Sequence, residues 1–247
     1  MLLKDKLIAI GHTFFRYRTY QFLIYVAVIL LGWRHFYHLK GHLGYELFCY
    51  CVAFSGIIVR SLTCGFVSIG TSGRNTRQQE AVELNTTGMY SICRNPLYIG
   101  NFLVFLGIVL LTENWLGVII ASALFWIFYT PIILTEEDFL VGKFKEEYLK
   151  FASETNCIIP SFKNFKKPAK EFSLWMVLMR EHDTLLSTTL SFLGVEILRE
   201  YATRGHLYLS KFWIGTLIVV FVIFFILKYF KKYRYMIANF LNKSKKA

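Results

Sequence analysis

The chain has 247 residues, 55% of them hydrophobic, a mean hydropathy of +0.44 and a formal net charge of +12. Several apolar runs approach or reach the ~20 residues that a helix needs to cross a bilayer, which excludes an ordinary soluble domain. The positive charge raises nucleic acid as a partner, but its placement along the chain makes that partner unnecessary.

Apolar spans are predicted at about 20–33, 44–60, 96–111, 115–134, 184–198 and 209–227. The segment before them, Met1 to Arg18, is basic. No small-residue cleavage site follows the first apolar run, so that run is expected to remain as a helix. A polar turn from Arg34 to His42 joins spans one and two. Its His35, His38 and His42 fall on one helical face, a spacing that can bind zinc, yet no carboxylate stands close by, so no metal is expected. Cys49 and Cys51, two apart, face different sides of span two. With Cys64, Cys93 and Cys157 they form no Cys-x-x-Cys pair, and all five read as small buried apolar residues rather than a disulfide framework.

Between spans two and three lies a polar stretch, Thr71 to Asn95, with turns at Ser72-Gly73 and Thr87-Gly88. A loop of that length is more often functional than passive. It ends in Thr86-Thr87-Gly88-Met89-Tyr90-Ser91-Ile92-Cys93-Arg94-Asn95-Pro96-Leu97-Tyr98-Ile99-Gly100. Pro96 fits the first turn of a helix, Gly88 permits a turn other residues resist, and Arg94 stands at the membrane surface. Thr112-Glu113-Asn114 closes spans three and four into a hairpin. At its other end, Thr135-Glu136-Glu137-Asp138 reads as a helix start, with Thr135 the cap and acidic residues in the first turn. The hairpin therefore brings an Arg, two Glu and several Tyr to one depth beside lipid.

A charged helical segment, Glu136 to Phe151, follows and ends by Pro160. Lys163 to Lys170 reads as a surface linker. Arg180-Glu181-His182-Asp183 interrupts the fifth span, which reads as an interfacial helix plus a short span, while Phe212 to Leu227 is unambiguous. With both termini in the cytoplasm, that side receives the N-terminal basic cluster, Arg74, Arg77, Arg94, the lysines from 143 to 170 and the basic tail from Lys228 to Lys246. The far side receives only Arg34, Lys40, Arg199, Arg204 and Lys211, as the positive-inside rule requires. Basic residues beside spans also attract anionic headgroups, so no nucleic acid is needed. In that orientation the sequon Asn85-Thr86-Thr87 is silent.

The two polar blocks resemble the isoprenylcysteine carboxyl methyltransferase and phospholipid methyltransferase superfamily of membrane-embedded enzymes. Its signature reads approximately Thr-Gly-x-Tyr, Arg-His-Pro-x-Tyr-x-Gly, a hydrophobic hairpin, then Glu-Glu-x-x-Leu-x-x-x-Phe-Gly-x-x-Tyr-x-x-Tyr and a later Pro. Thr87, Gly88, Tyr90, Arg94, Pro96, Tyr98 and Gly100 match the first block, and Glu136, Glu137, Leu140, Phe144, Tyr148 and Pro160 the second. The resemblance covers about residues 64–162. It departs where the family's His is Asn95, its Gly is Lys145 and its last Tyr is Phe151. No Arg stands between Phe151 and Pro160, where the family's carboxyl methyltransferases carry one.

The resemblance implies an all-α, polytopic bundle of five or six spans with a cytoplasmic-face cofactor site. It implies an S-adenosylmethionine-dependent methyltransferase acting on a membrane lipid or lipidated acceptor. The donor would lie among Gly88, Tyr90, Asn95, Pro96, Leu97, Tyr98, Gly100, Glu136 and Glu137. Aromatic faces suit a sulfonium cation, and the carboxylates suit an ammonium or ribose. Arg94 is the candidate cation for an acidic acceptor, Glu137 the candidate base for an amine, and Arg180 or Arg199 the candidate replacement for the missing Arg. The preferred acceptor is an acidic oxygen, a lipid phosphate such as that of lipid A or a prenylcysteine carboxylate. Alternatives are N-methylation of an amino headgroup and a non-enzymatic membrane transporter, the latter motivated by Arg180, Asp183 and Glu196 near a span. The expected organisation is N-terminal helices over 1–63, a methyltransferase core over 64–162 and a C-terminal extension over 163–247. The expected location is a bacterial inner membrane, or the endoplasmic reticulum in a eukaryote.

Overall fold

The computed structural model describes residues 3–31, 43–68, 79–207, 209 and 211–244. The polar turn with His35, His38 and His42, the Ser72-Gly73 turn, and Arg74 and Arg77 lie outside these residues. Every regular element among the described residues is helical. They are α1 (Leu3–Tyr17), a 3-10 turn (Arg18–Gln21), α2 (Phe22–Leu31), α3 (Leu43–Gly65), α4 (Met89–Ile92), α5 (Pro96–Leu110), α6 (Trp115–Phe144), α7 (Glu146–Glu154), α8 (Leu174–Arg204) and α9 (Lys211–Ser244). Among the described residues three stretches are long and apolar enough to cross a membrane, Gly44–Gly65, Trp115–Phe144 and Lys211–Tyr233, and Pro96–Leu110 is a shorter apolar helix. The chain is an integral membrane protein by these helices, with many large apolar side chains on the outside of α3, α6 and α9.

The expected hairpin is present. Leu110 ends α5, Asn114 caps α6 by accepting from the Gly117 N–H at 3.0 Å, and Pro96 occupies the first turn of α5. The core of the bundle lies between α3, α5 and α6, around Ala53, Phe105, Val109, Ala121, Phe125 and Ile132. α3 and α5 cross with backbones nearly touching. A Cβ at Gly100 would stand 2.9 Å from the Gly56 carbonyl oxygen and 2.5 Å from Arg60 Cγ, so only glycine fits this approach.

One element is added and two expectations change. The basic N-terminal segment is a helix that docks on α6: Phe14 stacks on Phe128 at 4.8 Å, and Thr135 donates its hydroxyl toward the Ile8 carbonyl at 3.0 Å. Thr135 is therefore no cap. It lies buried inside the 30-residue α6, its hydroxyl also 2.8 Å from the Pro131 carbonyl, and the helix runs unbroken through Glu136 and Glu137 to Phe144. Nor does Arg180-Glu181-His182-Asp183 interrupt α8, which is continuous over 31 residues. Glu181 is neutralised in place by Arg60 of α3, with Nε–Oε2 at 2.7 Å and Nη2–Oε1 at 2.9 Å, so the charges need no exit from the helix. The expected span at 20–33 corresponds to α2 and then passes out of the described residues. That at 184–198 lies within α8, which carries too many charges to count among the three membrane-length apolar helices.

Candidate active site

The segment before α5 is held by main-chain pairing, not by a surface anchor. The Arg94 and Asn95 N–H groups donate to the Asn156 and Cys157 carbonyls at 2.8 and 3.2 Å, and Ser161 N–H donates to the Ile92 carbonyl at 2.9 Å. The stretch expected as a linker clasps the preceding turn. Gly88 N–H donates to the Lys166 carbonyl at 2.9 Å, Lys166 N–H to Ser91 Oγ at 3.0 Å, and Ala169 N–H to Thr87 Oγ1 at 3.2 Å. Gly88 has φ 61°, a left-handed value for which glycine is suited, and Pro168 packs over it.

This frame directs Arg94 inward. Its Nε and Nη2 donate to the two Glu137 carboxylate oxygens at 2.9 and 3.1 Å, and Nη1 donates to the Ala152 and Thr155 carbonyls at 2.9 and 2.6 Å. Asn95 Nδ2 donates to Glu137 Oε1 at 3.1 Å and to the Cys157 carbonyl at 3.3 Å. Burial works to lower the guanidinium's pKa, but the Glu137 bonds and charge outweigh it and hold Arg94 above its ordinary value. Arg94 therefore does not snorkel to water, and its fork is largely committed within the protein. The Glu137 carboxylate is likewise committed to Arg94 and Asn95.

Glu136, one residue earlier, differs. It accepts from the Tyr98 hydroxyl at 2.8 Å and has Arg18 Nη1 at 3.6 Å, and its side chain keeps 29% of its exposure. It retains lone pairs for another donor. Tyr98 lies 4.9 Å from Tyr129, ring centre to ring centre. Tyr90, on α4, has its phenol pushed up first by burial and then by Cys64 and Glu136, with the Arg180 charge opposing them. Groups on α3, α6 and α8 thus all act electrostatically on Tyr90. Tyr148 is 2% exposed; its phenol is pushed up by burial and by the nearby Glu137 carboxylate, and its hydroxyl has no partner in hydrogen-bond geometry among the described residues.

The structure thus brings Tyr90, Arg94, Asn95, Tyr98, Glu136, Glu137 and Arg180 to one end of the α3, α5, α6 and α8 bundle. Pro96 is buried at the helix start, Leu97 is half-buried, and Gly100 faces Gly56 and Arg60 in the α3–α5 crossing. Arg199 lies elsewhere. Its Nη2 is 2.6 Å from both Glu46 Oε1 and Glu196 Oε2, and Glu46 belongs to the first turn of α3, the opposite end of the helix from Arg60. Arg199 is therefore withdrawn as a substrate cation. Sequence reasoning missed Arg60, which grips Glu181 and also donates to Asn101 Oδ1. A cleft of about 730 Å³ beside the site, lined by residues 79–82 and by Asp138, Phe139, Gly142 and Lys143, does not reach Arg94 or Tyr98.

A membrane-helical hairpin whose two outer ends lock an Arg to a Glu beside a second, less committed Glu is the architecture the two sequence blocks imply. Residues 40–147 match the phospholipid methyltransferase family. The chain is 30% identical over 123 residues to the cobalt-zinc-cadmium resistance protein of Cupriavidus metallidurans, covering 50% of this chain and 55% of that protein. It is 30% identical over 119 residues to the nickel-cobalt-cadmium resistance protein of Alcaligenes xylosoxydans xylosoxydans, covering 48% and 54%. It is 34% identical over 77 residues to the protein-S-isoprenylcysteine O-methyltransferase of Schizosaccharomyces pombe, covering 31% and 33%. The matched regions thus span about half, or less, of these relatives' lengths. No solved structure matches the chain. Over residues 40–147 the chain is thus similar to the phospholipid methyltransferase family, and over a shorter stretch to a protein-S-isoprenylcysteine O-methyltransferase.

Proposed function

We propose that this protein is a membrane-embedded methyltransferase that uses S-adenosylmethionine to methylate an acidic oxygen on a lipid or lipidated acceptor. The observation that carries the reading is the contrast between the two adjacent glutamates. Glu137 is consumed by Arg94 and Asn95, whereas Glu136 keeps free lone pairs beside Tyr98 and Tyr129. The residues fit the cofactor on a second count, since the Tyr148 hydroxyl, buried near Glu137, has no partner in hydrogen-bond geometry among the described residues and can turn to a polar ligand.

When bound, S-adenosylmethionine supplies an electrophilic methyl group on a sulfonium. Glu136 would accept from the donor's ammonium or ribose hydroxyls, and the aromatic faces of Tyr90 and Tyr98 favour a nearby cation. Arg94, Glu137 and Asn95 act as positioning residues, fixing the start of α5 against the end of α6. In-line displacement gains most of its rate from such positioning. A phosphate or carboxylate oxygen is already nucleophilic and needs no base. An amine acceptor would need one, and the committed lone pairs of Glu137 argue against that route. Arg180, on α8 near Tyr90, is the candidate cation for the acceptor.

In this reading α2, α5 and α8 complete five or six spans, and the distribution of basic residues favours a site on the cytoplasmic face of a bacterial inner membrane, or of the endoplasmic reticulum in a eukaryote. The test is transfer from methyl-labelled S-adenosylmethionine to total lipid of the native host, followed by mild base. Label released as methanol supports an ester on a carboxylate, because methyl esters of phosphate survive mild base. Label retained on lipid is assigned by headgroup analysis, to a methyl phosphate in support of the reading or to a methylamine against it, and no label with no donor binding overturns the enzyme reading.

A further inference from the structure

A second polar site lies apart from the one described. Between α8 and α9 a pocket of about 380 Å³ is lined by His182, Asp183, Lys228, Lys231 and Lys232. It opens at the same end of the bundle as Arg94. Ser173, the cap of α8, donates its N–H to the Gly65 carbonyl at 2.8 Å, at the end of α3 from which the chain runs toward Arg94.

Lys228, Lys231 and Lys232 stand at i, i+3 and i+4 on α9, so three ammonium groups share one helical face within a single turn. Phe224 supports them: its ring centre is 5.2 Å from Lys228 Nζ and 5.5 Å from the His182 ring. Asp183 is the one carboxylate lining the pocket, and its Oδ1 lies 3.3 Å from His182 Nε2. Cations outnumber anions three to one there before histidine is counted. Asp183 offsets part of that charge, and the net positive balance of the pocket lining favours an anion. On the other faces of the same turns of α9, Phe225, Ile226, Tyr229 and Phe230 are exposed, so the helix that carries the pocket presents apolar surface to lipid. A basic pocket between two helices, near the end of a membrane-length apolar helix, matches an amphiphile with an anionic head.

We propose that the Lys228–Lys231–Lys232 pocket binds the phosphate headgroup of an anionic phospholipid, which wedges between α8 and α9. This assignment stands apart from the methyl-transfer reading, because its readout is lipid retention and not activity. The full chain, purified in mild detergent, is titrated with phosphatidylglycerol or phosphatidylcholine, and bound lipid is counted by native mass spectrometry. Lys228→Gln/Lys231→Gln/Lys232→Gln is compared with Lys150→Gln/Lys163→Gln/Lys167→Gln, which removes the same charge from exposed sites elsewhere. At about fivefold for each lysine at a membrane surface, the pocket variant should lose about a hundredfold in phosphatidylglycerol affinity. The control variant and phosphatidylcholine binding should change little. Equal losses in both triple variants, or no loss in either, overturn the pocket. Displacement of phosphatidylglycerol by millimolar inorganic phosphate overturns the lipid assignment in favour of a soluble anion. If the triple variant fails to purify, Lys231→Glu is read by the same criteria.

Discussion

Arg94 and Glu137, 43 residues apart in sequence, meet in a two-pronged ion pair with both N···O distances at 2.9 to 3.1 Å. Arg94 ends the loop before α5, and Glu137 stands in the last third of α6. The pair therefore closes the open end of the hairpin whose other end is the tight turn at Thr112-Glu113-Asn114. Removing one partner strands the other among half-buried neighbours. Glu137→Gln should lower stability by about 2 kcal/mol, below the ~3–5 of a fully buried pair because both side chains keep some water contact. Arg94→Lys should do nearly the same, since an ammonium cannot reproduce the fork. Thermal unfolding in detergent reads this directly, and unchanged melting in both variants contradicts a framework role.

Glu136→Gln should behave in the opposite way. Its side chain has one strong partner, the Tyr98 hydroxyl, which an amide oxygen can still satisfy. Melting should hardly move, while S-adenosylmethionine affinity should fall about tenfold or more from loss of a charge-assisted hydrogen bond. Isothermal calorimetry on the detergent-solubilised protein measures it. Equal donor affinity in Glu136→Gln and the parent removes Glu136 from the cofactor site.

Cys157 offers a test of the Glu137 charge that needs no substrate. Burial first, then the neighbouring carboxylate, push its thiol up to about 11, while Arg94 and Asn95 pull it down. Since the thiol is neutral below that value, alkylation by iodoacetamide should be slow near neutral pH and accelerate as pH approaches 11. Neutralising the carboxylate removes a factor that raises the value. Glu137→Gln should thus label faster at any fixed pH below it, as followed by peptide mass spectrometry at Cys157.

Much of this site was legible because its parts are local. Pro96 marks a helix start, Thr112-Glu113-Asn114 a hairpin, and the two together predict that Arg94 and Glu137 approach each other. What local pattern could not show is which neighbour each group chooses. Thr135-Glu136-Glu137-Asp138 has the spacing of a helix cap, but docking of α1 on α6 satisfies Thr135 and lets the helix continue. The charged stretch at Arg180 resembles a break in a span, but Arg60, 121 residues from Glu181, neutralises it across α3 and α8. No periodicity encodes a contact that distant. The basic 163–170 segment likewise reads as a solvated linker, while its main chain clasps Thr87, Gly88 and Ser91.

Gly100 carries a prediction that separates packing from binding. It was expected at the cofactor, yet its missing side chain faces Gly56 and the Arg60 stem. Gly100→Ala should force α3 and α5 apart and cost about 1–3 kcal/mol, as overpacking does. The displaced Arg60 should loosen its grip on Glu181. The effect should therefore appear in melting temperature and in proteolysis of α8, with donor affinity per folded molecule unchanged. A loss of donor affinity at full stability would return Gly100 to the cofactor site.

The sharpest stability prediction concerns Lys145, where the superfamily signature has glycine. Lys145 joins α6 to α7 with φ 49° and ψ −122°, a backbone setting that side chains resist and glycine accepts. The position is still needed to hold the two helices: its N–H donates to the Val141 carbonyl at 2.9 Å, and its carbonyl accepts from Leu149 at 3.1 Å. Neither bond involves the side chain, which is exposed. Lys145→Gly should therefore keep both bonds and relieve the strain, with part of the gain offset by the greater freedom of glycine in the unfolded chain. A net stabilisation of about 1 kcal/mol is expected, seen as a higher melting temperature. Lys145→Ala separates the causes, because it removes the same charge and stem but keeps the Cβ. Equal stabilisation by both substitutions would point to the charge, and stabilisation by glycine alone to the backbone.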